Sequence, residues 1–260
     1  MSATFGNNAS VRIAYETFGD GPALLLMQGV GYARWSWDPI VPLLAARFRV
    51  LSFDNRGIGE SDVPPPPYTA RQLAEDGIAV LDAAGVERAH VVGASLGGMA
   101  AQELAAGFPE RVDRLVLACT TPGGAGAVPM PAQTVALIEE AATLAPEVAL
   151  RRFVENALAA HAERSLVDEL YERRLANPPD PIGWQGQAAA GMGFDGSALE
   201  INAPTLILHG AEDAVVDPGN AGLLAERIPG ARVELFSGCG HLFFWEQRER
   251  FAETVAEFLS

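Results

Sequence analysis

Residues 90–97 read His90-Val91-Val92-Gly93-Ala94-Ser95-Leu96-Gly97 and change character at the serine. The residues before the turn are mostly apolar and β-branched, as in a buried strand, and a helical pattern runs from Leu96 to Phe108. A glycine stands two positions before and two positions after Ser95. Because larger side chains would collide in so tight a turn, these glycines indicate a strained backbone that lifts the serine clear of a sheet.

Short apolar runs of this kind alternate along the chain with longer amphipathic stretches. Such alternation predicts an α/β fold, in which a mostly parallel sheet is flanked by helices on both faces. The alternating segment 11–17 predicts an antiparallel edge strand. The other strands are expected at 23–28, 49–53, 90–93, 114–118, 205–209 and 232–236, and helices at 37–47, 70–84, 96–108, 221–228 and 247–259.

One long stretch breaks this alternation. Residues 123–200 show helical patterns at 132–145 and 146–176, set between joints dense in glycine and proline, and no convincing strand. Ordinary crossover helices are the plainer alternative, but a connection of roughly 80 residues far exceeds the usual βαβ crossover. We therefore predict an inserted helical cap at 123–200 and a core made of residues 1–122 and 201–260.

A serine hydroxyl needs a base before it becomes a useful nucleophile. Of the four histidines, His241 stands in the short turn Gly238-Cys239-Gly240-His241, which follows the last predicted strand. That turn lies at the carboxyl edge of the sheet, where ligands bind in open α/β folds. We therefore expect His241 to be the base, and interpret His90, His161 and His209 as structural or surface residues.

The acid that orients this base is expected after a strand, between the serine and the histidine in the chain. Residues 210–218 supply three carboxylates directly after a predicted strand. We choose Asp213, whose carboxylate would accept the second imidazole N–H and so fix the tautomer. Asp217 precedes Pro218 and is expected to cap the next helix, whereas Glu212 is interpreted as a loop neighbour.

An oxyanion formed at the serine needs two N–H donors. Leu96 opens the helix that follows Ser95, so its N–H and the helix N-terminus both favour negative charge beside the serine. Residues 28–31, Gln28-Gly29-Val30-Gly31, form a glycine-rich turn at the same edge of the sheet. We expect the N–H of Val30 to be the second donor.

With these segments placed, the chain resembles the α/β-hydrolase family over nearly its full length. Its elbow has the G-x-S-x-G form of that family, and residues 53–61 are similar to the family's D-x-R-G-x-G-x-S turn. The resemblance implies an α/β-hydrolase fold, a catalytic triad of Ser95, Asp213 and His241, the two N–H donors above as the oxyanion hole, and no metal or cofactor. Haloalkane dehalogenases and epoxide hydrolases use Asp at the elbow, so the serine argues against both.

Within the family, the chain is similar to 3-oxoadipate enol-lactonases and to the cofactor-free esterases labelled non-haem haloperoxidases or perhydrolases. The segments 67–69 and 73–76 are similar to the lactonases, and residues 240–244 to the second group. The family usually has His-Gly where this chain has Gln28-Gly29. This departure concerns the geometry of the oxyanion turn and leaves the reaction class unchanged.

Charge and composition restrict the partners. Acidic residues outnumber basic ones by 33 to 18, and the formal charge of −15 repels nucleic acid and anionic membranes. The apolar run at 23–27 is too short to span a bilayer, and no signal-peptide pattern precedes it. We therefore expect a cytoplasmic protein that binds neither nucleic acid nor membrane, and the sequence leaves its oligomeric state open, a homodimer included. Cys119 and Cys239 lack metal-ligand spacing and are interpreted as buried free thiols.

These residues predict a cofactor-independent serine hydrolase that cleaves a small carboxylic ester or lactone through an acyl-enzyme. Two alternatives stay open: a C–C bond hydrolase or lyase-type synthase with the same triad, and a receptor-like binding module with little turnover. Trp35, Trp184 and Phe243 are candidate substrate contacts, with core packing as an equal explanation for each. Five arginines are candidates to bind a substrate carboxylate, with solvated helix faces as the alternative: Arg34, Arg151, Arg152, Arg173 and Arg174.

Overall fold

The structure is a computed structural model of the chain and describes residues 4–260. Eight strands of these residues form one sheet: β1 (Thr4–Asn8), β2 (Val11–Phe18), β3 (Ala23–Met27), β4 (Arg49–Phe53), β5 (Ala89–Ala94), β6 (Val112–Ala118), β7 (Thr205–Gly210) and β8 (Arg232–Phe236). In space their order is β1-β2-β4-β3-β5-β6-β7-β8. The pairs β1·β2 and β2·β4 are antiparallel, and the other five pairs are parallel.

Ten α-helices occur within the described range. They are α1 (Val41–Leu44), α2 (Ala70–Ala83), α3 (Leu96–Gly107), α4 (Ala132–Ala141), α5 (Pro146–Asn156), α6 (Arg164–Ala176), α7 (Pro181–Met192), α8 (Gly219–Arg227), α9 (Phe243–Glu246) and α10 (Arg248–Leu259). Short 3-10 turns add Arg34–Trp37 and Pro109–Arg111. In residues 4–260, no helix combines the length and the apolar character that crossing a bilayer requires.

The predicted α/β fold with a mostly parallel sheet is confirmed. Each of the six predicted parallel strands begins and ends within one or two residues of its expected bounds. The predicted edge position of the segment at 11–17 is wrong, because β1 pairs with β2 on its outer side and forms the edge itself. β1 has the sequence Thr-Phe-Gly-Asn-Asn, which lacks the apolar alternation by which a strand is recognised.

Two helix predictions are also corrected. The single helix expected at 37–47 is wrong: a 3-10 turn ends at Trp37 and α1 covers only Val41–Leu44. Pro39 and Pro42 explain the break, because each lacks a backbone N–H and disfavours helix in the residue before it. The helix expected at 146–176 is divided into α5 and α6.

Helix α7 lies inside a stretch that the sequence analysis treated as a glycine- and proline-rich joint. Its start carries a clear capping pattern, since the Asp180 carboxylate accepts N–H bonds from Ile182 at 2.8 Å and Gly183 at 3.1 Å. Pro181 then occupies the first helical position, where a missing N–H costs nothing. Asp217 behaves as predicted at the next such site, accepting the Gly219 N–H of α8 at 2.8 Å.

The four helices α4 to α7, which follow β6 and precede β7, are called the cap below. Helix α7 contacts the core at backbone distance: a Cβ built on Gly183 would lie 1.8 Å from the Gly57 carbonyl oxygen. A Cβ on Gly186 would lie 2.4 Å from the ring of Tyr68. These glycines therefore seat α7 against the turn after β4, and the boundaries 122/123 and 200/201 of the cap insertion stay a prediction.

Candidate active site

The predicted elbow is present between β5 and α3. Ser95 has a φ of 54° and a ψ of −120°, a strained conformation for a residue other than glycine. A Cβ on Gly93 would lie 2.4 Å from the Gly97 carbonyl oxygen, and a Cβ on Gly97 would lie 2.2 Å from that of Met27. Glycine at both positions thus lets β5, α3 and the end of β3 meet at backbone contact, with Ser95 half-buried at the junction.

The predicted base and acid are joined by a hydrogen bond. His241 Nδ1 lies 2.8 Å from Asp213 Oδ2, and both side chains are buried. The other carboxylate oxygen, Oδ1, accepts the N–H groups of Val215 at 2.8 Å and Val216 at 2.9 Å. Burial would by itself raise the pKa of Asp213, but the two histidines that contact its carboxylate hold that pKa well below its usual value. Asp213 is therefore an anion that can orient the His241 ring.

The second of those histidines is His209, which sequence reasoning left as a structural or surface residue. It is fully buried at the end of β7, and its Nε2 lies 2.9 Å from Asp213 Oδ2. The signal that would have found it is its position four residues before the chosen acid, at the end of the same strand. Asp213 Oδ2 thus accepts a hydrogen bond from each of two imidazoles.

The elbow and the acid loop meet through the end of β6. The Ser95 N–H donates to the Ala118 carbonyl at 2.9 Å, and the Cys119 N–H donates to the Leu208 carbonyl at 2.9 Å. Among residues 4–260, the structure contains no hydrogen bond between the Ser95 hydroxyl and the His241 ring. Catalytic hydrogen bonds of this kind often tighten only when substrate binds, and the Ser95–His241 contact stays a prediction.

The turn at 28–31, which is predicted to supply an oxyanion donor and is called the oxyanion loop below, lies directly against Ser95. A Cβ built on Gly29 would lie 3.0 Å from the Ser95 Cβ. The Gly29 N–H donates to Gln28 Oε1 at 2.7 Å, and the Gly31 N–H donates to Gln187 Oε1 at 2.9 Å. The Val30 N–H between them has no acceptor among the described residues. Leu96, as first residue of α3, has no acceptor within its helix. Neither predicted donor is therefore engaged elsewhere, and their role as the oxyanion hole stays a prediction.

Gln28 occupies the position at which the α/β-hydrolases that the chain resembles usually have histidine. Its side-chain amide forms hydrogen bonds that fix the oxyanion loop. Its Oε1 accepts the Gly29 N–H, and its Nε2 donates to the Ser36 hydroxyl, which donates in turn to the Ala33 carbonyl. The Asn55 amide binds the Gln28 carbonyl at 2.8 Å. The buried amide thus accepts one hydrogen bond from the backbone of the turn and donates another to Ser36, so both of its polar atoms have partners.

The cap also holds this loop. Gln187 of α7 is fully buried, and while its Oε1 accepts the Gly31 N–H, its Nε2 donates to the Arg56 carbonyl at 2.9 Å. Arg174 of α6 donates to the Gly31 carbonyl. Both polar atoms of the Gly31 backbone are thus bonded to cap side chains, more than 140 residues away in sequence.

The three predicted substrate contacts have different surroundings. Trp184 is 47% exposed, and its indole ring comes within 3.0 Å of a Cβ built on Gly31, which places it at the oxyanion loop. Trp35 is half-buried and packs edge-on against Trp245 at 6.4 Å; its substrate role stays a prediction. Phe243 is fully buried among aromatic rings of the core, so its assignment to the substrate pocket is corrected.

Arg174 is the only one of the five candidate arginines that forms no ion pair among the described residues. Its guanidinium lies 4.4 Å above the ring of Tyr32, next to its bond to the oxyanion loop. The other four are neutralised by carboxylates: Arg34 by Asp54, Glu16 and Glu60, Arg151 by Asp168 and Glu155, Arg152 by Glu140, and Arg173 by Asp38 and Glu169.

Both cysteines are free and buried, as predicted. Burial raises the pKa of the Cys119 thiol well above its ordinary value and raises that of Cys239 to about 11. Cys239 Sγ also lies 3.0 Å from the Gln247 amide nitrogen. Because the thiolate is the reactive form, neither thiol competes with Ser95 as a nucleophile at neutral pH.

Comparison with known proteins gives the same fold. The enol-lactonase from Burkholderia xenovorans LB400 is 27% identical and superposes with a TM-score of 0.86 over 98% of this chain and 99% of its own. An esterase from Exiguobacterium antarcticum is 25% identical, with a TM-score of 0.88 over all of both chains. The 2-hydroxy-6-oxo-6-phenylhexa-2,4-dienoate hydrolase of Comamonas testosteroni is 30% identical over 95% of this chain and 91% of its own length. Residues 22–247 match the family described as alpha/beta hydrolase fold, and the chain belongs to that family.

Proposed function

We propose that this protein is a serine hydrolase that cleaves a small carboxylic ester or lactone through an acyl-enzyme, without metal or cofactor. The observation that carries the proposal is the strained Ser95, with two available N–H donors beside it and the Asp213–His241 pair at the same edge of the sheet. A nucleophile, an oriented base and an oxyanion site are the three parts that acyl transfer requires.

The proposed reaction proceeds in two halves. His241 Nε2 takes the proton of the Ser95 hydroxyl as Oγ attacks the carbonyl carbon, and the resulting oxyanion binds the N–H groups of Val30 and Leu96. The ester C–O bond then breaks, and the alcohol leaves with the proton held by His241. Water, deprotonated by the same imidazole, then attacks the acyl carbon. The bond from that carbon to Ser95 Oγ breaks, His241 returns the proton to Oγ, and the carboxylic acid is released. Asp213 keeps Nδ1–H of His241 bonded throughout, which leaves Nε2 as the base.

A C–C bond hydrolase is the second candidate function. Arg174, a cation without an ion-pair partner among the described residues, lies beside the oxyanion loop and is compatible with a carboxylate-bearing substrate of such an enzyme. The relative from C. testosteroni is named for a dienoate, a carboxylate-bearing substrate. Enol-lactonase chemistry on an anionic lactone would use the same cation, so Arg174 supports an acidic substrate more directly than it supports either bond type.

Covalent labelling tests the acyl-enzyme proposal without any mutation. Trypsin cleaves this lysine-free chain after arginine, and the peptide from Ala89 to Arg111 contains Ser95 as its only hydroxyl residue. We expect a fluorophosphonate to add once, on that peptide, and p-nitrophenyl acetate to release a burst of p-nitrophenol close to one equivalent. Ester turnover with no adduct on this peptide would contradict the proposal. An adduct without ester turnover would instead favour the C–C hydrolase or the receptor-like binding module.

Substitution of Arg174 tests the acidic substrate. Arg174→Gln removes the charge, and its shorter side chain also gives up the bond to the Gly31 carbonyl, which affects every ester. We expect kcat/KM for the p-nitrophenyl monoester of succinic acid to fall roughly 10- to 100-fold more than that for p-nitrophenyl butyrate, the value of one hydrogen bond to a charged group. Arg173→Gln is the matched control, because Arg173 is already paired with Asp38 and Glu169. Equal losses on both esters in Arg174→Gln would refute a carboxylate contact.

A further inference from the structure

We propose that His209 is a positioning residue for His241, which holds the shared carboxylate oxygen of Asp213 and limits how strongly that oxygen attracts the His241 proton. The inference rests on the proposed function of the site and deepens it. His209 cannot touch a substrate, because its side chain is fully buried. Any effect it has on the reaction must therefore pass through Asp213.

The hydrogen bonds fix the protonation state of His209. Its Nε2 lies 2.9 Å from Asp213 Oδ2 and 3.0 Å from the Val216 carbonyl oxygen, and both of these atoms are acceptors. Nε2 must therefore carry the proton. Nδ1 is buried and has no hydrogen-bond partner among the described residues. A second proton there would add a buried donor with no acceptor, so His209 is a neutral donor and not a second base.

His209 and His241 donate to the same oxygen, Oδ2 of Asp213, and this is why the His209 N–H affects the proton affinity of His241. Oδ1 of Asp213 already accepts the N–H groups of Val215 and Val216. Oδ2 is therefore the oxygen that orients His241, and its negative charge is the one that the two imidazoles compensate. His241 Nδ1 binds Oδ2 at 2.8 Å on one side and His209 Nε2 binds it at 2.9 Å on the other. Each donor takes up part of the negative charge, so the His209 N–H weakens the attraction of Oδ2 for the His241 proton. Without His209, we expect Oδ2 to bind that proton more strongly.

The remaining ionisable groups around His209 do not replace this donor. Burial raises the pKa of the Cys119 and Cys239 thiols, which therefore stay neutral at neutral pH. Glu212 is exposed and lies 3.7 Å from His161 at the surface. The full set on the loops after β6, β7 and β8 is Cys119, Glu212, Asp213, Asp217, Cys239 and His241.

The test compares three variants. His209→Leu removes the donor, His209→Gln offers an amide N–H in its place, and His90→Leu is a matched control. His90 is also a buried histidine with an unpartnered Nδ1, but it lies near the opposite end of the sheet, at the start of β5 and packed on Phe48. The readouts are the His241 titration, followed by NMR with labelled histidine, and the pH profile of kcat/KM on a p-nitrophenyl ester.

In His209→Leu we expect the acidic limb of the kcat/KM profile to move to higher pH by roughly half a unit to one unit, because Oδ2 of Asp213 then attracts the His241 proton more strongly. We expect kcat to fall about tenfold, since the carboxylate loses one of its four donors. His209→Gln should restore most of both values. His90→Leu should lower Tm but leave the acidic limb of the kcat/KM profile at the same pH.

Two results would overturn the inference: an unmoved His241 titration in His209→Leu, or His209→Gln behaving no better than His209→Leu. If His209→Leu does not fold, His209→Asn takes its place, because the asparagine amide nitrogen corresponds to Nδ1 of the histidine and lies short of Asp213, whereas that of glutamine corresponds to Nε2. The His241 titration needs no substrate. A protein that cleaves no ester therefore refutes the proposed function and leaves this inference separately testable.

Discussion

Asp213→Asn is expected to lower kcat by about four orders of magnitude, the size of effect known for the equivalent change in a serine protease triad. Four N–H groups converge on this carboxylate, two from the backbone and two from imidazoles. An asparagine has one acceptor oxygen and one NH2 group. Its NH2 must face two of those N–H groups, and the mismatch is relieved if His241 adopts the other tautomer. The Nε2 proton of that tautomer then blocks the base.

The control for Asp213→Asn is Asp217→Asn, which removes the same charge from the same loop. Asp217 serves the N-terminus of α8, so we expect its substitution to reduce Tm slightly and to leave kcat within about twofold. Steady-state kinetics on a p-nitrophenyl ester, with thermal unfolding followed in parallel, distinguish the two variants. A loss of less than tenfold in a folded Asp213→Asn protein would show that Asp213 does not orient the base.

Gly97→Ala is expected to lower kcat by roughly 100- to 1000-fold, the effect of losing one oxyanion donor. The new methyl would lie 2.2 Å from the Met27 carbonyl oxygen and 2.8 Å from that of Gln28. Both atoms belong to the end of β3 and the start of the oxyanion loop, so this backbone must move away from α3. The Val30 N–H then moves away from the position where the oxyanion forms.

Gly222→Ala in α8 is the matched control for Gly97→Ala. A Cβ on Gly222 meets no atom within 4 Å, and we expect this variant to be about 0.4–1 kcal/mol more stable with unchanged kcat. Binding of a trifluoromethyl ketone, which forms a tetrahedral adduct with serine, measures the oxyanion site directly. Full kcat and unchanged inhibitor affinity in Gly97→Ala would show that the loop does not depend on this glycine.

Local pattern is what made the fold and the central residues predictable. Buried parallel strands are continuous apolar runs, and the tight turn around Ser95 leaves a pair of glycines that no ordinary helix start requires. The turn before His241 and the acidic loop after β7 are equally local. Because parallel strands end at one edge of a sheet, these separate patterns predicted the contact between Asp213 and His241, whereas the contact of His241 with Ser95 stays a prediction.

The features that sequence reasoning missed depend on contacts between distant segments. β1 exists because β2 offers it a partner, and its own sequence, in which Phe5 is the large apolar side chain, shows no apolar alternation. From the sequence alone, the glycines of α7 indicate a break in helical structure. The structure shows that glycine is required at 183 because the Gly57 backbone leaves no space for a side chain. In the sequence, Phe243 is an aromatic residue beside His241 and could equally line a pocket or the core. Only the packing of other rings around it shows that it belongs to the core.

Because of the two hydrogen bonds of Gln187, the position of α7 affects both which substrates fit and how well the oxyanion loop is held. These bonds connect α7 to Gly31 on one side and to Arg56 on the other, so a substrate that displaced α7 outward would also remove an acceptor from the loop that we propose stabilises the transition state. Attempts to widen the substrate range should therefore keep Gln187 and leave the position of α7 against the core unchanged.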